Sequence, residues 1–564
     1  MINQEVSQIF NNIADYLEMQ DSPNFFRIRA FKKAAESVDS YPEDVANLNI
    51  YELKKIPGIG DSTAKDILEY AKAGKIAYYE ELKKASPVKL EELVRIQGVG
   101  PKTVKKLYYK LGVKNIDDLK KAAESGKIAT LEGFGEKSQV SILENIKFAI
   151  VNKERTRIDI ALEIAEKYIE YLKKNDAHII KINYGGSLRR KNETIGDIDL
   201  LVSSKNPKKT SENFVNYPEI EKVLGAGDTK SSVWLKQKIQ VDLRVIPVES
   251  FGSALQYFTG NKDHNVLLRK IAIKKGYKLS EYGIFKKLTN KKIAGKSEKR
   301  LYEKLVNHYI EPELREDEGE LDLAINNKLP KLITLENIKG DLQMHTTHSD
   351  GTNTMLEMAQ KCVDLGYKYM GFTDHFGNLQ VANAIQPGEF NKYIDEIEEV
   401  RNKFKDKIKI LAGGEINIKA GGELDFKQNL LEKLDFVVAS IHSGFKMNVE
   451  QATNRYLSAF ENPVITIIGH PTGRLLTKRP PFEFDYEKVF QEASKNNIVM
   501  EINAHPMRLD LSYQLVKIAK KCGCKIQIST DAHSVEELNL MKYGVFVARK
   551  AGLEKDDLYE YFDK

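Results

Sequence analysis

A chain of 564 residues exceeds what one hydrophobic core sustains and allows roughly three or four domains of about 100–200 residues. Charged residues make up 30% and hydrophobic ones 41%, which argues against large-scale disorder; the net charge is only +6, but lysine gathers in runs such as GPKTVKKLYYK, suited to a polyanion or to a solvated helix face. Cys362, Cys522 and Cys524 cannot build a disulfide framework, and no basic-then-apolar N-terminal segment or run of about 18 apolar residues occurs, so a cytoplasmic protein is expected and secreted and membrane classes drop out.

Three similar units open the chain: KKIPGIGDSTAKDILEY, VRIQGVGPKTVKKLYYKLG and ATLEGFGEKSQVSILENI. Each places an apolar residue before Gly-x-Gly and then a helical apolar spacing, as in Val104, Leu107, Tyr108 and Leu111. Two glycines one residue apart permit a tight turn and bring bare backbone N–H groups to a phosphate, with the following helix N-terminus adding a favourable dipole. A lone Gly-x-Gly also caps ordinary helices; three in succession form a helix-hairpin-helix signature that grips the DNA backbone without reading its sequence. The contact points expected are Gly58, Gly60, Gly98, Gly100, Gly133 and Gly135, assisted by Lys102 and Lys105. A compact basic helix with Arg27, Arg29, Lys32 and Lys33 is placed to hold a 5′-phosphate.

The next informative segment is INYGGSLRRKNETIGDIDLLVSS. Asp197 and Asp199 alternate with Ile198 and Leu200, so a strand here turns both carboxylates to one face. KIQVDLRVIP offers a third acid, Asp242, on another alternating strand. An isolated D-x-D is usually a solvated sheet edge. Three carboxylates on adjacent strands instead make an oxygen-rich site for Mg²⁺ or Mn²⁺, suited to a two-metal in-line displacement on a phosphate. Gly185, Gly186 and Ser187 form a loop able to cradle a triphosphate, with Arg190 to neutralise it.

The motifs GGSLRR, GDIDLLV, VDLRVIP and YFTGNKDHN, in this order, resemble the family X DNA polymerases from residue 1 to about 316. The resemblance implies that Asp197, Asp199 and Asp242 hold two metals, the last also activating the primer 3′-hydroxyl. It implies that Gly186, Ser187 and Arg190 hold the nucleotide phosphates, with Arg157 as a further cation. Tyr257 and Phe258 then stack near the nucleotide sugar with Gly260 as their turn, and Asn265 and Arg269 touch the minor groove of the nascent pair and template. The family's sugar-phosphate lyase lysine falls on Asp66, with Lys65 one residue earlier and about 100° away around the helix.

After the polar stretch IEPELREDEGELDLAINNKLP, read as a linker over 317–335, short apolar runs end repeatedly in Asp, His or Glu: YKYMGFTDH, KIKILAGGEINI, LDFVVASIHS, VITIIGHP, NIVMEINAH and KIQISTDAH. Such endings place side chains at the C-terminal rim of a parallel barrel. Of ten histidines, His345, His375, His442, His470, His505 and His533 lie on these rims. Mixed nitrogen and oxygen donors at this density point to a Mn²⁺, Zn²⁺ or Fe²⁺ cluster that activates water against a phosphate ester. The segment resembles the PHP (polymerase and histidinol phosphatase) domain, which implies metal ligation by His345, Asp350, His375, Glu415, His442, His470, Asp531 and His533. The first histidine of that family's H-x-H opening is Gln343 here, whose amide oxygen is a poorer ligand than imidazole. His348 is a surrogate if its loop folds back, and His505 stays unassigned.

The expected architecture is multidomain: an all-α helix-hairpin-helix region (1–85 and 86–150), an α+β nucleotidyltransferase palm (151–248) and thumb (249–316), and a distorted α/β TIM-like barrel (336–564). The expected function is gap filling in base excision or end repair by a DNA polymerase acting as a monomer on gapped or primed DNA and deoxynucleoside triphosphates, without a membrane. The barrel adds a Mn²⁺-dependent 3′→5′ exonuclease weakened by Gln343, and possible cleavage at abasic sites. Two rival readings are a nuclease or small-molecule phosphatase with a DNA-delivery half, disfavoured by the intact aspartates and nucleotide loop, and a non-catalytic gap-binding scaffold, marked by weak nucleotide binding.

Overall fold

Glycine turns and the helices they open organise the first part of the chain, and alternating strands the rest. The computed structural model describes residues 2–20, 25–39, 41, 45–94, 96, 98–152, 155–379 and 382–561. The chain divides into two compact units, residues 1–153 with 477–480 and residues 154–476 with 481–564.

The first unit is helical. In Asn3–Met19 the residues Val6, Phe10, Ile13, Ala14 and Leu17 fall on one stripe and are all buried. Helices Phe25–Asp39, Asp61–Ala73, Pro101–Leu111 and Ile116–Glu124 complete a core that runs from Val6 to Ile146. The 1–85 and 86–150 regions therefore share one core, and Tyr16 donates across them to Glu91 at 3.0 Å.

In the second unit a five-stranded sheet has the order Ile179–Tyr184, Asp197–Ser204, Gln240–Val245, Lys230–Leu235 and Ile220–Ala226. Only Asp197–Ser204 and Gln240–Val245 run parallel, and their register sets Asp199 opposite Asp242. Ile198, Leu200 and Val202 pack beneath with helix Ile158–Asn175 over them. Helices Phe251–Thr259 and Lys262–Lys274, a three-stranded antiparallel sheet and helix Glu298–Val306 follow.

The stretch 317–335 is not a loose linker. Helix Glu320–Ile325 buries Leu321 and Ala324 in the same core as Leu268 and Tyr302, and the buried Glu320 pairs with His264 at 2.5 Å. Its apolar content is too short to register as a periodic pattern.

From Gly340 onward the strands are all parallel. Gly340–Asp341, Tyr369–Phe372 and Lys409–Ala412 form one sheet, and His375–Phe376, Glu415–Asn417, Val437–Ser440, Ile465–Ile468, Val499–Asn503 and Ile526–Ser529 the other. A parallel bridge between Met344 and Ala532 brings the end of the first strand beside the end of the last. Among the described residues no helix is long and apolar enough to cross a membrane.

Candidate functional site

Three turns in the helical unit repeat one hydrogen-bond pattern. Ile56 donates to Leu53 and Ile59 to Ile56, Ile96 to Leu93 and Val99 to Ile96, Leu131 to Ile128 and Phe134 to Leu131, all between 2.9 and 3.1 Å. Gly58, Gly98 and Gly133 sit at φ +90°, +83° and +79°, where a side chain strains the backbone. Gly60 and Gly100 cap the next helices at φ −100° and −77°, which any residue adopts. A β-carbon on Gly60, Gly100 or Gly135 would meet open space, so packing within the chain does not require glycine there. Lys102 is exposed and 3.8 Å from Glu18. Arg27 stacks on Tyr78 at 4.4 Å, Lys32 lies 3.4 Å from Glu18, and burial raises the half-buried Asp66 to about 6 while Lys65 faces solvent.

The parallel register in the five-stranded sheet gathers Asp197, Asp199 and Asp242 on one face. Burial, then repulsion from Asp197 and Asp242, raises Asp199 to about 7, and burial with Asp242 holds Asp197 above its ordinary range against Arg155. Acids crowded together in this way fit a divalent-cation site made of oxygen donors. Gly186 completes the wall: its φ is +60° and a β-carbon would lie 2.8 Å from Asp199 Oδ2. The preceding Gly185 N–H donates to the Asp199 carbonyl at 2.8 Å, which holds the start of the short helix Gly186–Arg189, expected as a loop, over the acids.

At the strand ends of the parallel region, His345 Nε2 lies 3.1 Å from Asp531 and 3.6 Å from Glu415. His375 Nδ1, His442 Nε2 and His470 Nε2 lie 3.0, 3.2 and 3.1 Å from Glu415, and His533 Nε2 lies 3.4 Å from Asp350. Burial pushes His375 down to about 3, leaving a neutral imidazole with a free lone pair. Although burial opposes it, the neighbouring His442 holds Glu415 well below the carboxylate range. Both Glu415 oxygens, both nitrogens of His442, and Nδ1 of His345, His375 and His470 are buried without a hydrogen-bond partner. Orphans this dense are costly in a dry interior and are what a metal cluster satisfies. Three overlapping groups of donor atoms, each within 4.8 Å of one another, draw on His345, Asp350, His375, His533, Glu415, His442 and Asp531.

Family profiles match in four places: a helix-hairpin-helix domain over 1–76, a SAM-like helix-hairpin-helix tandem over 90–147, the DNA polymerase beta thumb over 254–316 and the PHP domain over 341–505. The DNA polymerase/3′-5′ exonuclease PolX of Bacillus subtilis (strain 168) is 37% identical over 98% of this chain and 96% of its own. The chain belongs to family X of the DNA polymerases. A probable phosphatase of Thermoanaerobacter sp. (strain X514) is 28% identical over 38% of this family X chain and 87% of its own length. DNA polymerase lambda of Arabidopsis thaliana is 25% identical over 50% of this chain and 54% of its own.

Within this family X chain not every expected residue faces its expected partner. Arg157 is bound to Asp159 at 2.8 Å, whereas Arg155 is the cation acting on Asp197. Arg190 contacts Glu316 at 3.0 Å and the Thr259 carbonyl at 2.5 Å, and a β-carbon on Gly260, at φ +71°, would lie 3.1 Å from its Nη1. Tyr257 and Phe258 meet edge to face at 5.2 Å. Asn265 points inward, donating to the Tyr257 carbonyl at 2.7 Å and accepting from Gln256 at 2.6 Å, while Arg269 donates to the Asn265 carbonyl at 3.3 Å. In the histidine cluster, His348 is tied to Glu396 at 2.9 Å and His505 lies 3.9 Å from Glu537, so neither substitutes for a first histidine. Asn503 and Arg508, unread in the sequence, hold Asp531 Oδ2 at 2.9 and 3.4 Å. Their only sequence signal was position, at and just beyond the end of a strand that finishes on the same rim.

Proposed function

We propose that residues 151–248 are a nucleotidyltransferase palm, 249–316 a nucleotide-selecting thumb and 336–564 a distorted TIM-like barrel with a phosphoesterase site. The enzyme is a family X DNA-directed DNA polymerase with 3′–5′ exonuclease activity, using divalent metals and acting on DNA with deoxynucleoside triphosphates. Its role is filling short gaps in cytoplasmic DNA repair as a monomer. The observation that carries the reading is the parallel register of Asp199 with Asp242, Asp197 beside them and the Gly185–Ser187 segment above.

Asp197, Asp199 and Asp242 hold Mg²⁺ or Mn²⁺, and Asp242 takes the proton of the primer 3′-hydroxyl. Gly186, Ser187 and Arg190 orient the triphosphate. Arg157 serves there only after leaving Asp159, and Asn265 and Arg269 read the minor groove only after releasing their internal bonds. In the barrel His345, Asp350, His375, Glu415, His442, His470, Asp531 and His533 hold Mn²⁺, Zn²⁺ or Fe²⁺, and Arg508 offers positive charge beside them. Divalent ions bound at these two clusters stabilise charge developing on phosphoryl oxygens and acidify the attacking hydroxyl or water. The hairpin glycines with Lys102 and Lys105 grip the DNA backbone. Asp66 at the lyase-lysine position speaks against sugar-phosphate excision.

A labelled primer in a one-nucleotide gap with a 5′-phosphate, incubated with Mn²⁺ with and without deoxynucleotides, tests both sites. Extension with nucleotides and shortening without them is expected. The double variant D197A/D199A should abolish extension while leaving DNA binding; retained extension refutes the catalytic carboxylates.

A further inference from the structure

We infer that Gln343 is not a metal ligand but a positioning residue for Asp531, leaving His345, Glu415 and Asp531 as the protein donors of the innermost ion. The inference rests on reading the cluster as a divalent-metal site. Those three side chains converge as one group of donor atoms within 4.8 Å of one another. Three protein donors with an open position are the pattern of hydrolytic metal sites, which need room for water or substrate.

Gln343 is fully buried and its Nε2 lies 3.4 Å from Asp531 Oδ1. An ionised carboxylate only accepts hydrogen bonds, so the amide presents N–H to it and its oxygen faces elsewhere. That oxygen is a buried orphan like the cluster's nitrogens, but it lies on the Gly469 side, 3.4 Å from where a β-carbon on Gly469 would stand, and Ser440 Oγ, another buried orphan, lies 2.4 Å from the same point. The backbone keeps the two residues side by side: Asp531 N–H donates to the Gln343 carbonyl at 3.1 Å, next to the Met344–Ala532 bridge.

Asp531 needs holding. Its φ is +56°, in the left-handed region, a conformation that costs on the order of 1–3 kcal/mol in a non-glycine residue and persists only where neighbours over-determine it. Asn503 and Arg508 hold its Oδ2, and His345 and Gln343 its Oδ1. Of the two on Oδ1, His345 has its own place as a metal donor, so Gln343 is the one free to act by orientation alone. A side chain that aims a ligand typically changes metal affinity by about 10–100-fold when removed.

The test uses full-length protein stripped of metal and titrated with Co²⁺ and Mn²⁺, in wild type, Q343E and Q343M. A carboxylate in place of the amide cannot donate to Asp531, so Q343E should raise the Mn²⁺ Kd by about 10-fold or more. If the residue were an oxygen ligand, Q343E would bind more tightly, and that result overturns the inference. Q343M, similar in size and unable to donate, should bind as many Co²⁺ ions per chain as wild type with the same visible spectrum and a higher Kd. Loss of one ion or a shifted spectrum also overturns it. Wild type binding no ion at all would instead refute the metal reading itself, which separates the two failures. Thermal unfolding of the metal-free variants identifies any that fail to fold, and Q343E and Q343M each carry the test alone.

Discussion

Glu298 shows how much a single buried side chain can carry. It receives both Arg189 nitrogens at 2.8 and 2.7 Å, Arg315 at 2.6 Å and the Tyr309 hydroxyl at 3.0 Å. Burial works against its charge, but the two guanidinium groups hold it down to about 2, against 4.5 when free. The pair therefore contributes stability that is complete above pH 4.5 and is lost as pH falls from there toward 2. Glu298→Gln leaves two cations uncompensated and should cost about 3–5 kcal/mol at neutral pH. Urea unfolding across the acid range checks this: the wild type should lose stability there more steeply than the variant. Nothing in SEKRLYEKL marks this glutamate as buried, because Arg189 lies far away in sequence and only the fold brings it near. Asp197 and Asp199 were legible for the opposite reason, since strand alternation with Ile198 and Leu200 is a local pattern.

The hairpins were the most legible elements because their turns depend on residues next to one another. Gly100 separates binding from folding: it sits at φ −77° with open space around it, so Gly100→Ala should change stability by less than about 1 kcal/mol. Its methyl group stands where a DNA phosphate would approach and should weaken binding to gapped DNA by about tenfold, the loss of one charge-assisted hydrogen bond. Fluorescence anisotropy at fixed salt measures it; unchanged affinity removes this hairpin from the DNA interface. The helix Glu320–Ile325 was missed because six residues are too short to show a helical period, and its stability comes from distant partners such as His264.

At the scale of the second unit, the five-stranded sheet and the parallel strands share a continuous apolar core, and charged groups bridge them as well. Glu316 contacts Arg190 at 3.0 Å and is also bound by the buried Lys550 from the C-terminal region, whose ammonium reaches the Arg190 carbonyl at 3.3 Å. A nucleotide that recruits Arg190 leaves Glu316 to Lys550. Lys550→Met removes the alternative cation and leaves Glu316 to Arg190 and the Asn261 amide, so the KM for deoxynucleotide on a gapped primer should rise by about 3–10-fold with a smaller change in kcat. An unchanged KM shows that the bridge does not feel the nucleotide.

By itself the sequence determined the hairpin turns, the alternating acidic strands and the strands that end in histidine or carboxylate. Each depends on backbone geometry over a few consecutive residues, and such geometry is written in local residue choice. The tertiary structure decided which residues meet: Asp199 opposite Asp242, Arg155 rather than Arg157 near the acids, His348 tied away by Glu396, and Gln343 donating to Asp531. Strand register and chain crossover bring these groups together from positions remote in sequence, where charge and hydrogen-bond direction then select the partner.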